Sequence, residues 1–365
     1  MKRRDFLLGA AAGSAALALR APRAETAAKS AQPGWRTFEV VTRVDIAEPV
    51  GTTRLWLPLP MRQPTDYQRI LNTHWDAPGA GRAKIVAMPH YGVELLAVEW
   101  SDEHGVGTVT ATSQVQTRDR RVAIDAGNMK RGGDSTQGLR EFLRPTRLLP
   151  TDGIVKSTAT QITAGQRTDI DKARAIYEWV VENTSRDPKT PGCGVGDVAS
   201  MLETNHLSGK CADINALFVA LARAANIPAR DAYGVRVADS RLDYHCLGRS
   251  GDVSKAQHCR AEFHARGHGW IPVDPADVRK LMLEEAPGGL PATDPKVQSA
   301  RAFLFGNWEM NWIAYNHGHD IALPGSDRKP VPFLMYPNGA TGERQLNSLD
   351  PAAFRYSITS REIVA

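Results

Sequence analysis

Little in this chain is lopsided. Residues 1–24 carry five basic side chains (Lys2, Arg3, Arg4, Arg20, Arg23) against Asp5, so setting them aside lowers the formal net charge from +5 to +1. A chain that near neutrality offers no electrostatic case for nucleic acid or an acidic membrane surface. Long hydrophobic runs are missing as well, since the stretch from Phe6 to Leu19 is too short for a membrane span. There is no internal repeat, heptad array or low-complexity tract. Cysteine is scarce: Cys193, Cys211, Cys246 and Cys259 are four in 365 residues. There is no two-cysteine pair, and His264 and His268, although four residues apart, fall at a hairpin tip and not on a helix, so His258, His264 and His268 beside Cys259 do not make a zinc site, and no metal or other cofactor is called for. What remains is 42% hydrophobic and 23% charged, ordinary for a soluble globular protein of two domains or one elaborated core.

The first residues, M-K-R-R-D-F-L-L-G-A-A-A-G-S-A-A-L-A-L, are a charged start and a short apolar run, the pattern of a signal peptide. Arg3-Arg4 before Asp5, Phe6 and Leu7, with a Gly/Ala-rich core, resembles a twin-arginine export signal, which we expect over residues 1–28, with cleavage open among Ala21, Ala24, Ala27 and Ala28. A periplasmic or otherwise exported protein with no remaining membrane segment follows. Four cysteines in an exported protein suggest disulfides; if Cys211 is free, Cys193, Cys246 and Cys259 could supply one bridge and a spare thiol.

Periodicity organises the rest. Residues 33–130 alternate as strands do, with Phe38, Val40, Val44 and Ile46 on one face, and predict a β-rich, sandwich-like domain. A capped helix is predicted from Thr168 to Asn183. Turn signals and short strand-like runs mark 286–365 as an extension packing on what precedes it. In that stretch Trp308 and Trp312 could line a ligand groove, although tryptophans at this spacing are more often core.

The chemistry concentrates in two segments. In S-G-K-C-A-D-I-N-A-L-F-V-A-L-A-R, Ser208 can cap a helix whose first turn holds Cys211, with Ile214, Leu217, Phe218 and Leu221 on a buried face. Unpaired N–H groups and the positive helix end favour thiolate, the species that attacks carbonyl carbon. In H-C-R-A-E-F-H-A-R-G-H-G-W-I-P-V-D-P, two strand-like runs flank Gly267 and Gly269. A bend centred on Arg266 pairs residues whose numbers sum to 532 and sets His258 opposite Asp274, so that the carboxylate can hold one imidazole nitrogen while the other meets a nucleophile. Cys259 should face the other way, His264 and His268 at the hairpin tip should be surface residues, and His245 is a weaker candidate base.

These motifs resemble the transglutaminase-like superfamily of papain-fold cysteine enzymes. G-K-C-A-D-I-N-A-L-F, H-C-R-A-E-F and G-W-I-P-V-D-P come in the family's order, and A-R-A-I-Y-E-W-V-V-E-N-T resembles its preceding helix. The resemblance implies an α+β core over residues 150–285, a helix bearing the nucleophile packed on an antiparallel sheet. It carries nucleophile, base and orienting carboxylate onto Cys211, His258 and Asp274. Arg260 stands where the family often has an aromatic residue, which bears on the shape of the cleft. For the oxyanion the Cys211 N–H is a natural donor and Asn205 is the side-chain candidate for a second. The expected function is amide hydrolysis or acyl transfer on a protein or peptide, cell-wall peptide included. The alternatives are a protein-glutamine transglutaminase and a non-catalytic binding module.

Overall fold

The structure is a computed structural model that describes residues 34–364, apart from 89–90, 102–104 and 125–135. The expected export signal at 1–28 lies outside the described residues. Strands β1 (Arg36–Val44), β2 (Thr53–Pro58), β3 (Gln68–Asp76), β4 (Arg82–Met88), β5 (Val93–Trp100) and β6 (Val109–Thr117) follow in the chain. In β1 every second residue from Phe38 to Val44 is buried, the period that the alternation predicts. The helices and strands that follow are α1 (Gly153–Ile162), α2 (Asp169–Asn183), α3 (Val198–Glu203), α4 (Cys211–Ala224), β7 (Ala229–Arg236), β8 (Gln257–Ala265), β9 (Gly269–Val273), α5 (Pro275–Glu284) and α6 (Pro295–Phe303). Strands β10 (Trp312–Asn316), β11 (Asn338–Thr341) and β12 (Tyr356–Ile363) complete the order.

Two antiparallel sheets form the β-rich region. One runs β12-β1-β6-β3 and the other β11-β2-β5-β4, each with a two-residue edge strand. Residues 286–365 therefore do more than extend the chain: β12 pairs with β1 along its length, from Thr37↔Ile363 to Val44↔Tyr356, and β11 pairs with β2. Strand β10 instead joins β7 in the third sheet, β9-β8-β7-β10. Val235 of β7 and Ile313 of β10 share a core with Phe38, Leu55 and Leu96, which welds this sheet to the sandwich.

Helix α4 lies on the third sheet. All of its residues are buried, the apolar face against the sheet and the rest under α1, α2 and α5. Helix α2 starts with a reciprocal cap, Asp171 N–H to Thr168 Oγ1 and Thr168 N–H back to Asp171. Helix α1 carries weak helix formers, Gly153, Val155, Thr158 and Thr160, and gives no strong signal in sequence. Val155 and Ala159 are buried in the core that holds α4, and Lys156 Nζ reaches the Ala224 carbonyl at the end of α4 at 2.5 Å, so tertiary packing overrides propensity.

The hairpin β8–β9 forms with a register two residues away from the expected one. Ala261 pairs with Val273 and His264 with Trp270, so the residue numbers sum to 534. Arg260 thereby comes opposite Asp274, and His258 becomes its diagonal neighbour on the same face. His264 is buried rather than at the surface, 6% exposed and edge-on to Trp270 at 5.5 Å. The reason is that the His264 N–H bonds the Pro228 carbonyl, which ties the strand end to the loop before β7. Trp308 and Trp312 are fully buried in a small core with Met310 and Tyr67.

Candidate active site

Cys211 opens α4. Its N-cap position is held by Lys210 rather than Ser208, because Ser208 and Gly209 are drawn into a short parallel pairing with Ser185 and Arg186. The cap function passes to Asp213. One of its oxygens accepts the Lys210 N–H at 2.9 Å, and the other accepts the N–H groups of Val195 and Gly196, each at 2.9 Å. This carboxylate binds the 193–196 loop to the helix start that carries the thiol. Glycine is required on both sides of it. A Cβ on Gly194, which has φ +92°, would lie 1.8 Å from an Asp213 oxygen, and one on Gly209 would lie 2.3 Å away. Gly194→Ala should therefore cost on the order of 1–3 kcal/mol. It should lower the melting temperature and slow Cys211 alkylation; a wild-type melt would contradict the clamp.

His258 sits on β8, 4% exposed. Its Nε2 is 2.8 Å from Asp274 Oδ2 and 3.4 Å from Asp277 Oδ1, which leaves Nδ1 for the thiol. Asp274 caps α5: its Oδ1 accepts the Asp277 N–H at 3.1 Å and an Asn215 side-chain N–H at 3.3 Å. Asn215, one turn past Cys211 on α4, also bonds the Cys259 carbonyl and accepts the Ala276 N–H, so one side chain joins the helix that carries Cys211, β8 and α5. Asp277 is paired with Arg236 at 2.6 Å and Asp274 with Arg260 at 3.5 Å. Arg260 also bonds the Glu309 carbonyl and lies over the Trp308 and Trp312 rings, so it backs Asp274 from behind and does not line the cleft.

The charges in this dry cluster cancel: two carboxylates face two guanidiniums, and a thiolate would face an imidazolium. Hydrogen bonds with Cys193, Cys259 and His258 hold the Cys211 thiol well below its ordinary range, against burial. Burial and the Arg236 charge work against protonation of His258, but Asp277 and Asp274 outweigh them and push its pKa up to about 9. The flanking thiols Cys193 and Cys259 are pushed the other way, Cys193 by its bond to Cys211 and Cys259 by burial. All four cysteines are free thiols. His258, Asp274 and Asp277 offer ligand atoms within 4.8 Å of one another, as a metal site would. Arg236 and Arg260 already supply the positive charge there, so the donor set fits an ion-pair network better than a cation.

Cys193, Cys211 and His258 line a cleft of about 860 Å³, with Tyr336 on the same wall. The Tyr336 hydroxyl is buried without a hydrogen-bond partner of ordinary geometry. Asn205 lies elsewhere, exposed in a left-handed turn (φ 51°) after α3 and away from the cleft lining. His245 is at the rim, exposed and 3.5 Å from Asp243. Sequence reasoning missed Asn215, although its four-residue step from Cys211 inside an apolar run was a readable signal. Asp213, Arg236, Asp277 and Tyr336 gave no comparable sign.

A helix-borne thiol beside a carboxylate-held imidazole is the layout of cysteine enzymes that attack carbonyl carbon. The family model of the transglutaminase-like superfamily matches residues 156–275. The chain is 35% identical over 343 residues to an uncharacterized protein of Haemophilus influenzae, covering 89% of this chain and 91% of that one. It belongs to the transglutaminase-like superfamily. Among solved structures it is similar to a candidate cysteine protease from Cytophaga hutchinsonii, at 15% identity and a TM-score of 0.49, covering 90% of this chain and 98% of that one. It is also similar to the periplasmic domain of TgpA from Pseudomonas aeruginosa, at 13% identity and a TM-score of 0.35, covering 66% of this chain and 87% of that one.

Proposed function

We propose that the protein is a cysteine-dependent amide hydrolase acting on protein or peptide substrates. The observation that carries this reading is the His258 imidazole, which lines the same cleft as Cys211, helps hold its thiol pKa down and has its Nε2 held by Asp274 at 2.8 Å. The Cys211 thiolate attacks the amide carbonyl and forms the C–S bond. The imidazolium of His258 then gives its proton to the departing amine as the C–N bond breaks, and Asp274 keeps the ring in place. Water, activated by the now neutral His258, releases the acid and restores the thiol. The oxyanion meets the Cys211 N–H, which as the first residue of α4 has no intrahelical acceptor. The Tyr336 hydroxyl, which lines the cleft beside Cys193, is the second donor in this reading, in place of Asn205. Tyr336→Phe should cut turnover about 10- to 1000-fold while Cys211 alkylation continues.

Water rather than an amine completes the cycle, because nothing in the cleft specifies an amine site and an exported enzyme faces water in great excess. Incubation with peptide mixtures and a primary-amine probe tests this by mass spectrometry. Free acid without amine adduct is expected; predominant amine incorporation would instead make the protein a transglutaminase.

Export through the twin-arginine route belongs to the same proposal. Among the described residues no helix is long and apolar enough to cross a membrane. Residues 1–30 fused to a reporter that folds in the cytoplasm should carry it outside, and Arg3→Lys with Arg4→Lys should stop this although charge is kept. Unchanged export of the double-lysine fusion would point to the general secretory route.

A further inference from the structure

The cleft around Cys211 is basic. Lys210 is next to the thiol in the chain, Arg249 and Lys255 stand exposed at the rim, and Arg186 and Lys280 lie deeper. Among the residues lining the cleft the carboxylate is Asp252. Arg186 and Lys280 share one acid, Glu284, with the Lys280 contact at 3.8 Å. Arg249 donates to the Asp252 backbone carbonyl at 3.0 Å, a bond that leaves its charge in place. Lys210 makes no ion pair with any described residue, and Lys255 and Arg249 share the field of the single Asp252 carboxylate, whose pKa is lowered first by its hydrogen bonds with Ser254 and also by these two cations, so one acid is set against two bases at the rim. Arg236 is consumed by Asp277, so the surplus of positive charge sits on the cleft wall and not in the catalytic network behind it. The protein as a whole, without residues 1–24, is close to neutral, so this concentration is local. A concave site with one sign of charge and low-dielectric walls focuses its field on whatever enters.

We propose that the substrate is an acidic peptide, with carboxylates beside the scissile amide that pair with Lys210, Lys255 and Arg249. The proposal rests on the catalytic reading of Cys211 and narrows it to a substrate class. Lys210 is one residue from the nucleophile, so the recognised carboxylate lies within a residue or two of the carbonyl attacked. Lys255 and Arg249 at the rim reach acids further along the chain.

The test uses two alkylating agents that differ only in charge. Iodoacetate and iodoacetamide both lose iodide as the Cys211 sulfur forms its bond to carbon, and labelling is read at Cys211 by peptide mass spectrometry. At low ionic strength the ratio of iodoacetate to iodoacetamide rates should exceed the ratio for free cysteine by about 10-fold or more. The ratio should collapse toward that of free cysteine in the Lys210→Gln, Arg249→Gln, Lys255→Gln triple variant and in high salt. The His258 imidazolium also attracts iodoacetate, but it is unchanged in the triple variant, so the difference between the two proteins isolates the wall. Should the triple variant misfold, Lys255→Gln alone and the salt titration of the wild type carry the same comparison. Poly-glutamate should protect Cys211 from iodoacetamide. Equal protection by an oligonucleotide of matched charge would overturn the peptide assignment, and a ratio indifferent to salt and to all three substitutions would overturn the proposal. No labelling of Cys211 by iodoacetamide near pH 6 would be a failure of the catalytic reading instead.

Discussion

His258→Ala should lower the rate of Cys211 alkylation near pH 6 by about 100-fold, to the level set by a thiol of ordinary pKa. Cys193, Cys259 and His258 all lower the thiol pKa, but Cys193 and Cys259 are neutral and weak S–H donors, whereas His258 brings a full positive charge to a buried sulfur. Removing it leaves burial opposed only by the weak S–H donors and the helix end, which together return the thiol toward its ordinary range. The wild-type pair exists from the depressed thiol pKa up to about 9, where His258 loses its proton, so turnover should fall as pH rises through about 9 for want of the general acid. The same shift makes a folding contribution. Because the folded pKa is raised from 6.5, that contribution is complete below 6.5 and is lost as pH climbs through about 9. His264→Ala should not share the alkylation effect. Its ring is buried against Trp270 at the far end of β8, so it should lose stability and keep the reactive thiol. A fall in Cys211 reactivity equal to that of His258→Ala would contradict the assignment of the base.

Asp274→Asn should cost about 10- to 1000-fold in turnover, less than the roughly 10⁴ measured for the equivalent change in a serine protease triad, because a cysteine enzyme starts from an ion pair already formed. The site has a second carboxylate on the same nitrogen, and the two are not equivalent. Arg236 and His258 hold Asp277 well below the usual carboxylate range despite its burial, whereas burial and the Asp277 charge push Asp274 up. Asp277 is thus committed to Arg236 at 2.6 Å and stands 3.4 Å from the ring, while Asp274 is at 2.8 Å. Asp277→Asn should accordingly lose more stability than Asp274→Asn, since it strands a buried guanidinium, and lose less turnover per folded molecule. Melting curves with single-turnover rates on both variants separate the two roles. If Asp277→Asn proves the more damaging to chemistry at equal stability, the orienting carboxylate is Asp277.

The sequence carried the order of helix and hairpin and the residue types at their ends, because a capped apolar run and a Gly-flanked turn leave local marks. Register left none. The expected sum of 532 placed His258 opposite Asp274, and the observed 534 places Arg260 there. Since a shift of two keeps every side chain on its face, the shared face survived while the direct partner changed. Arg260 is also legible only in retrospect: its guanidinium lies between Asp274 and two tryptophans from residues about fifty positions away. Asp213, Asp277 and Arg236 were hidden for the same reason, since each acts across elements distant in sequence. Helix α1 and the pairing of β12 with β1 depend on packing that no local window contains. Cys259 does turn its side chain away from His258, as alternation requires, and so joins the core that α4 packs on.

The central claim is that Cys211 is a thiolate at mildly acidic pH, and the pH dependence of iodoacetamide labelling, resolved by cysteine, measures it directly. Cys211 should label fastest of the four and remain reactive near pH 6, while Cys193 and Cys259, with raised pKa, and Cys246, pushed up by burial, lag far behind. Labelling of Cys211 that rises only above pH 8, or faster labelling of any of the other three in the folded protein at pH 6, would contradict the account.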